Sequence, residues 1–91
     1  MKSKDAFLKE IKKNGNTETA KHLSHFFKTG RGEYGEGDLF WGLKVPLQRA
    51  IAKKYKEALD LRDLEELLQN KIHEVRLSSL FILIDKYREG G

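Results

Sequence analysis

Leu61-Arg62-Asp63-Leu64-Glu65-Glu66-Leu67-Leu68-Gln69-Asn70-Lys71-Ile72-His73-Glu74-Val75-Arg76-Leu77-Ser78-Ser79-Leu80 is the stretch whose reading decides the architecture. Leu64, Leu67 and Leu68 recur at the three-to-four-residue spacing of one helix face. Asp60 stands where an N-cap is expected, because its side chain can accept an orphan N–H of the first turn. A polar turn follows Asn70, and His73 opens a second helix running to about Tyr87. That helix carries Val75, Leu80, Phe81, Leu83, Ile84 and Tyr87 and is apolar almost all round between residues 80 and 84. A helix at the edge of a free-standing domain keeps one polar face. Two explanations are open: a central helix wrapped by the rest of the chain, or a helix that expects a further neighbour. In the second case the chain is a truncated piece or associates through this helix.

Paired leucines on a first helix, a short polar turn and Val75-Arg76 opening a second read as one HEAT-type helical repeat. Such a unit has two apolar faces because repeats stack, and a lone one cannot bury both. Toward the N-terminus, Pro46 suits the first turn of a helix carrying Leu47, Ile51 and Tyr55, with Ala50 and Ala58 as small positions. Before it, Thr17 is read as the N-cap of a helix reaching about Lys28 and burying Ala20, Leu23 and Phe27. The first helix repeats Phe7, Leu8 and Ile11 and is stopped by Asn14-Gly15. The predicted fold is all-α: about five helices in an antiparallel HEAT-like solenoid arrangement, forming one domain over 1–91, with a Gly-rich loop at about 29–45.

Composition narrows the function classes. The chain is 35% charged, and its longest apolar run, Leu80 to Ile84, falls far short of a bilayer span. Met1-Lys2-Ser3-Lys4-Asp5 leads into a charged amphipathic pattern rather than a signal-peptide core, so a cytoplasmic chain with no membrane partner is expected. The absence of cysteine excludes disulfide scaffolds, thiolate zinc sites and thiol nucleophiles. The net charge of +4 is uneven, with seven Lys against three acids in residues 1–28. A basic excess in particular segments points to a polyanionic partner.

The Gly30-Arg31-Gly32-Glu33-Tyr34-Gly35 block matches a dinucleotide fingerprint letter for letter, but the context contradicts it. That motif works between a strand and a helix N-terminus, whereas here a helix precedes it and Glu33, Glu36 and Asp38 would repel phosphate. An ordered turn is expected instead, with Leu39-Phe40-Trp41 tucked back on the core. Phe26-Phe27-Lys28-Thr29-Gly30, then Glu33-Tyr34-Gly35-Glu36-Gly37-Asp38-x-Phe40-x-Gly42, then Val45-Pro46-x-x-Arg49, resembles the DNA alkylation repair family of HEAT-like-repeat DNA glycosylases. The Ile72-His73-Glu74-Val75-Arg76 block fits the same family, and the resemblance runs from about residue 20 to 87.

The resemblance implies a stack of helical pairs whose concave basic surface holds duplex DNA, and excision of cationic alkylpurines without metal or redox cofactor. It also implies further repeats carrying a catalytic carboxylate, an arginine and cleft-lining tryptophans. No position here matches those residues: nothing around Asp85 and Arg88 fits, and Trp41 belongs to the loop. The chain is therefore expected to be the N-terminal portion of a longer repair domain, with no catalytic residue and no cofactor of its own. Phe26 is the one lesion-facing position that carries over. A characterised type of member has Tyr there, so stacking remains and a hydroxyl contact is lost.

Other chemistry in the same residues is weaker. His22 and His25 can share a helix face, but no third ligand stands at fitting spacing, so no metal is expected. Glu74 suits the positive end of the last helix. Glu33, Glu36 and Asp38 take turn and capping roles. Arg49, Lys53 and Lys56 fall at i, i+4, i+7 opposite the Leu47/Ile51/Tyr55 stripe, and Lys9 and Lys13 stand one turn apart. Such stripes either neutralise phosphates or form an ordinary solvated face. The candidate DNA-binding residues are Phe26, Lys28, Arg49, Lys53 and Lys56, making weak, non-specific contacts to the backbone of double-stranded DNA. The alternative function is a helical-repeat module that binds protein, including a second copy of itself, through its last helix.

Overall fold

A computed structural model describes residues 3–26 and 39–90. Within them the chain forms α1 (Ser3–Lys13), α2 (Thr17–Phe26), α3 (Val45–Tyr55), α4 (Leu61–Leu67) and α5 (His73–Gly90). No strand occurs among the described residues; a single bridge pairs Leu39 with Ile72. The five predicted helices and the all-α repeat arrangement are as expected. Residues 29–38 of the Gly-rich block, with Phe27 and Lys28, lie outside the described residues.

The core forms where α5 packs against α3, α4 and α1. Phe7 and Ile11, one turn apart on α1, meet Ile51 and Ala52 of α3, Leu64 and Leu67 of α4, and Val75 and Ile82 of α5. Burying side chains of this size contributes about 1.5–3 kcal/mol each. The Phe7 ring meets Tyr55 edge-on at 5.5 Å. Asp60 caps α4 in a reciprocal box: its Oδ1 accepts from the Asp63 N–H at 2.8 Å, and Asp63 Oδ2 accepts from the Asp60 N–H at 3.2 Å. Each N–H so satisfied would otherwise be an orphan of the first turn.

Three local expectations are corrected. The N-cap of α2 is Asn16, whose Oδ1 accepts from the Thr19 N–H at 3.0 Å; Thr17 is already helical. The cap falls one residue earlier because Asn16 also donates its own N–H across the fold, as described below. On α3 the inward face is Gln48, Ile51 and Ala52, while Leu47 is 38% exposed. Gln48 is tolerated inside because both ends of its amide are bonded: Nε2 donates to the Leu43 carbonyl at 3.0 Å, and Oε1 accepts from Ser78 Oγ at 3.3 Å. Ala20 and Leu23 of α2 are half-buried rather than core.

The apolar residues of the last helix divide between a buried side and an exposed one. The inner line of α5 is Glu74, Val75, Ser78, Ser79 and Ile82, all buried, whereas Leu80 and Ile84 are 41% and 43% exposed and Tyr87 is 85% exposed. Among the described residues no helix is long and apolar enough to cross a membrane.

Candidate nucleic-acid interface

The end of the Gly-rich block returns to the core as a strap, residues 39–44, fixed by main-chain bonds. Leu39 donates its N–H to the Lys71 carbonyl at 3.2 Å and accepts from the His73 N–H at 2.8 Å. The Phe40 ring lies 4.8 Å from the His73 ring. Next come three consecutive N–H groups, and all three donate to one buried carboxylate. Trp41 reaches Glu74 Oε1 at 2.9 Å, while Gly42 and Leu43 reach Oε2 at 2.8 and 3.1 Å. Three N–H partners meet the need of this buried side chain for hydrogen bonds.

The sequence reading gave Glu74 a favourable place at a helix N-terminus, and it does open α5. Its larger role as the anchor of the strap was missed. A signal was present: Glu74 stands at i, i+4, i+8 with Ser78 and Ile82, on the line that the fold buries. A charge on a buried line needs partners.

The cations lie around this frame. Arg49 is exposed on α3, with its guanidinium 4.3 Å from the centre of the Phe81 ring on α5. Stacking engages the face of the group and leaves its N–H edges for a phosphate. Lys53 is exposed, and Lys56, just beyond α3, is half-buried. Phe26 is the last residue of α2; its side chain and Lys28 fall outside the described residues. His22 and His25 are exposed on α2.

A second cationic group emerges that spacing alone did not show. Lys54 of α3 joins Lys9 and Lys13 of α1 around a surface hollow of about 380 Å3 that also contains Glu10. Glu10 Oε1 accepts from Lys54 Nζ at 2.8 Å and from Tyr55 Oη at 3.0 Å. The Lys54 hydrogen bond holds the Glu10 carboxyl below its usual range, and the same bond raises Lys54. Partial burial and then the bond to Glu10 push Tyr55 up. Lys4 and Glu66 form a further ion pair between α1 and α4.

Over residues 7–90 the chain matches the family described as DNA alkylation repair enzyme. The chain belongs to that family. No curated protein and no solved structure matches it. For a DNA alkylation repair family member, the described site is a set of cations on a helical frame, with a buried carboxylate holding the glycine-rich motif's end to that frame.

Proposed function

We propose that the chain is the N-terminal HEAT-like part of a DNA glycosylase that excises cationic alkylated purines, and that it contributes scaffold and DNA-backbone binding rather than the catalytic residues. The reading rests on the family match over residues 7–90. The positions of Arg49 and Lys53 on the exposed side of α3 support it. Phe26, Lys28, Arg49, Lys53 and Lys56 are its DNA-contacting residues, and double-stranded DNA is the partner.

Four phosphate contacts, from Lys28, Arg49, Lys53 and Lys56, give a slope of log K against log salt of about −3.6. Replacing Arg49 and Lys53 together by Ala is expected to flatten that slope by roughly 2 units with helix content unchanged. An unchanged slope would make the stripe a solvated face only.

The exposed Leu80, Ile84 and Tyr87 favour a second reading, a helical-repeat module that associates through α5. Light scattering separates the two: salt-sensitive duplex binding by a monomer supports the first, and concentration-dependent association without DNA binding supports the second.

A further inference from the structure

Helix α2 is held differently from the other four. Among its described side chains none is fully buried. Its N-cap, Asn16, is instead tied through the main chain. The Asn16 N–H donates to the Trp41 carbonyl at 2.8 Å and to the Gly42 carbonyl at 3.2 Å, while the Asn16 carbonyl accepts the first helical bond of α2 from Ala20 at 2.9 Å. The two backbones approach so closely that side chains cannot intervene. A Cβ on Gly15 would stand 2.3 Å from the Trp41 carbonyl oxygen, and one on Gly42 would stand 2.0 Å from the Asn16 carbonyl oxygen. Gly42 also sits at φ +87°, a conformation that L side chains rarely adopt.

The other side of that same strap is held by Glu74. The N–H groups of Trp41 and Gly42 point to the carboxylate, and their carbonyls receive Asn16. A relay of main-chain bonds therefore runs from the buried face of α5, through residues 41–43, to the start of α2. Thr19, His22 and Leu23 of α2 face Val45, Gln48 and Leu77 across a cleft of about 350 Å3. Gln48 is bonded to the Leu43 carbonyl at the end of the strap. The position of α2 and the width of this cleft thus depend on the same few bonds.

We propose that Glu74 is a positioning residue: acting through the backbone of residues 41–43, it sets where α2 stands against α3 and α5, and with it where the end of α2, at Phe26, meets DNA. Only the last step rests on the DNA-binding reading. Glu74 itself is fully buried and acts only through the strap.

The test is Glu74→Gln, which keeps the side chain's volume but turns one acceptor into a donor facing an N–H of the strap. Amide exchange over Thr19–Phe26 is expected to quicken by roughly tenfold or more beyond any change in the core amides of α3 and α5, with the helix content unchanged. In duplex titrations Glu74→Gln and Phe26→Ala should each weaken binding several-fold. Their double variant should be no weaker than the poorer single one, because both remove the same contact. The salt slope should stay as in the parent, since Phe26 carries no charge.

Exchange that quickens evenly over all five helices, or not at all in α2, overturns the proposal. So does additive loss in the double variant. If the parent chain fails to bind duplex, the DNA-binding reading falls, and α2 exchange still judges the clamp. Should Glu74→Gln not fold, Gly15→Ala drives the turn before α2 off the strap with Glu74 intact. The same α2-selective exchange is expected there, and its absence refutes the relay.

Discussion

The two faces of α5 invert the usual arrangement. Its inner face carries Glu74, Ser78 and Ser79 beside Val75 and Ile82, and its outer face carries Leu80, Ile84 and Tyr87. Each polar group on the inner face has a specific task. Glu74 holds the strap, Ser78 donates to Gln48, and Ser79 Oγ donates to the Val75 carbonyl one turn back at 2.7 Å. No buried side-chain nitrogen or oxygen among the described residues lacks a partner. The outer face has no comparable specificity; its leucine and isoleucine would suit any complementary apolar surface. The contrast teaches that α5 fixes its own domain by directed bonds and presents an undirected surface outward. Directed bonds fail when one atom changes, and apolar surfaces respond to area.

The largest effect should come from Glu74→Ala, which breaks the inner face at its centre. Three donors at residues 41–43 lose their acceptor, and leaving a buried donor unsatisfied costs about 1–3 kcal/mol. A loss of roughly 3–5 kcal/mol is expected in urea unfolding, a large share of the stability of so small a domain. A loss below about 1 kcal/mol would mean that water replaces the carboxylate and that the inner face is less directed than described.

The outer face should respond oppositely. Changing Leu80 and Ile84 together to Lys is expected to leave dilute-solution stability within about 0.5 kcal/mol for each site. Any self-association seen by light scattering should move to higher concentration. A large loss of stability in the dilute monomer would show that the outer side chains belong to the core, and the contrast would collapse.

How much of this was legible in the sequence depended on the range of the signal. Helices, the stop at Asn14-Gly15 and the Asp60 cap were readable because their causes lie within four residues. The Asn16 cap was missed because Asn16-Thr17 offers two adjacent capping side chains; only the bond from Asn16 to Trp41, far along the chain, decides between them. Gln48 was passed over for Leu47 because apolar periodicity gives a polar residue no weight in a core, whatever its partners. The bonds of Glu74 span more than thirty residues, which no local pattern encodes. In the candidate site, the Arg49/Lys53/Lys56 spacing was visible, but the Phe81 ring under Arg49 and the arrival of Lys54 beside Lys9 and Lys13 required the packing of α3 against its neighbours.

The smallest expected effect sharpens the contrast from outside α5. Glu10 has its folded carboxyl pKa lowered by Lys54, so its contribution is present above the ordinary carboxylate value and is lost as pH falls through the lower folded value. Glu10→Gln should therefore lower the melting temperature slightly at neutral pH, and the gap from the parent should close in acid. A gap that persists unchanged in acid would assign the loss to packing at the α1–α3 contact rather than to charge.

The glycine-to-backbone closure at residues 15–16 and 41–42 also has an engineering meaning. It joins the chain before α2 to residues 41–42 by main-chain bonds alone, so the closure does not depend on which side chains stand between them in the sequence. The cost of closing a flexible loop rises only with the logarithm of its length, by about 0.6 kcal/mol for each doubling. Insertions, exchanges with relatives or grafted recognition segments placed after α2 should therefore disturb the frame little, provided that Gly15, Asn16 and Gly42 are kept. The sequence after α2 can diversify while this closure stays the same.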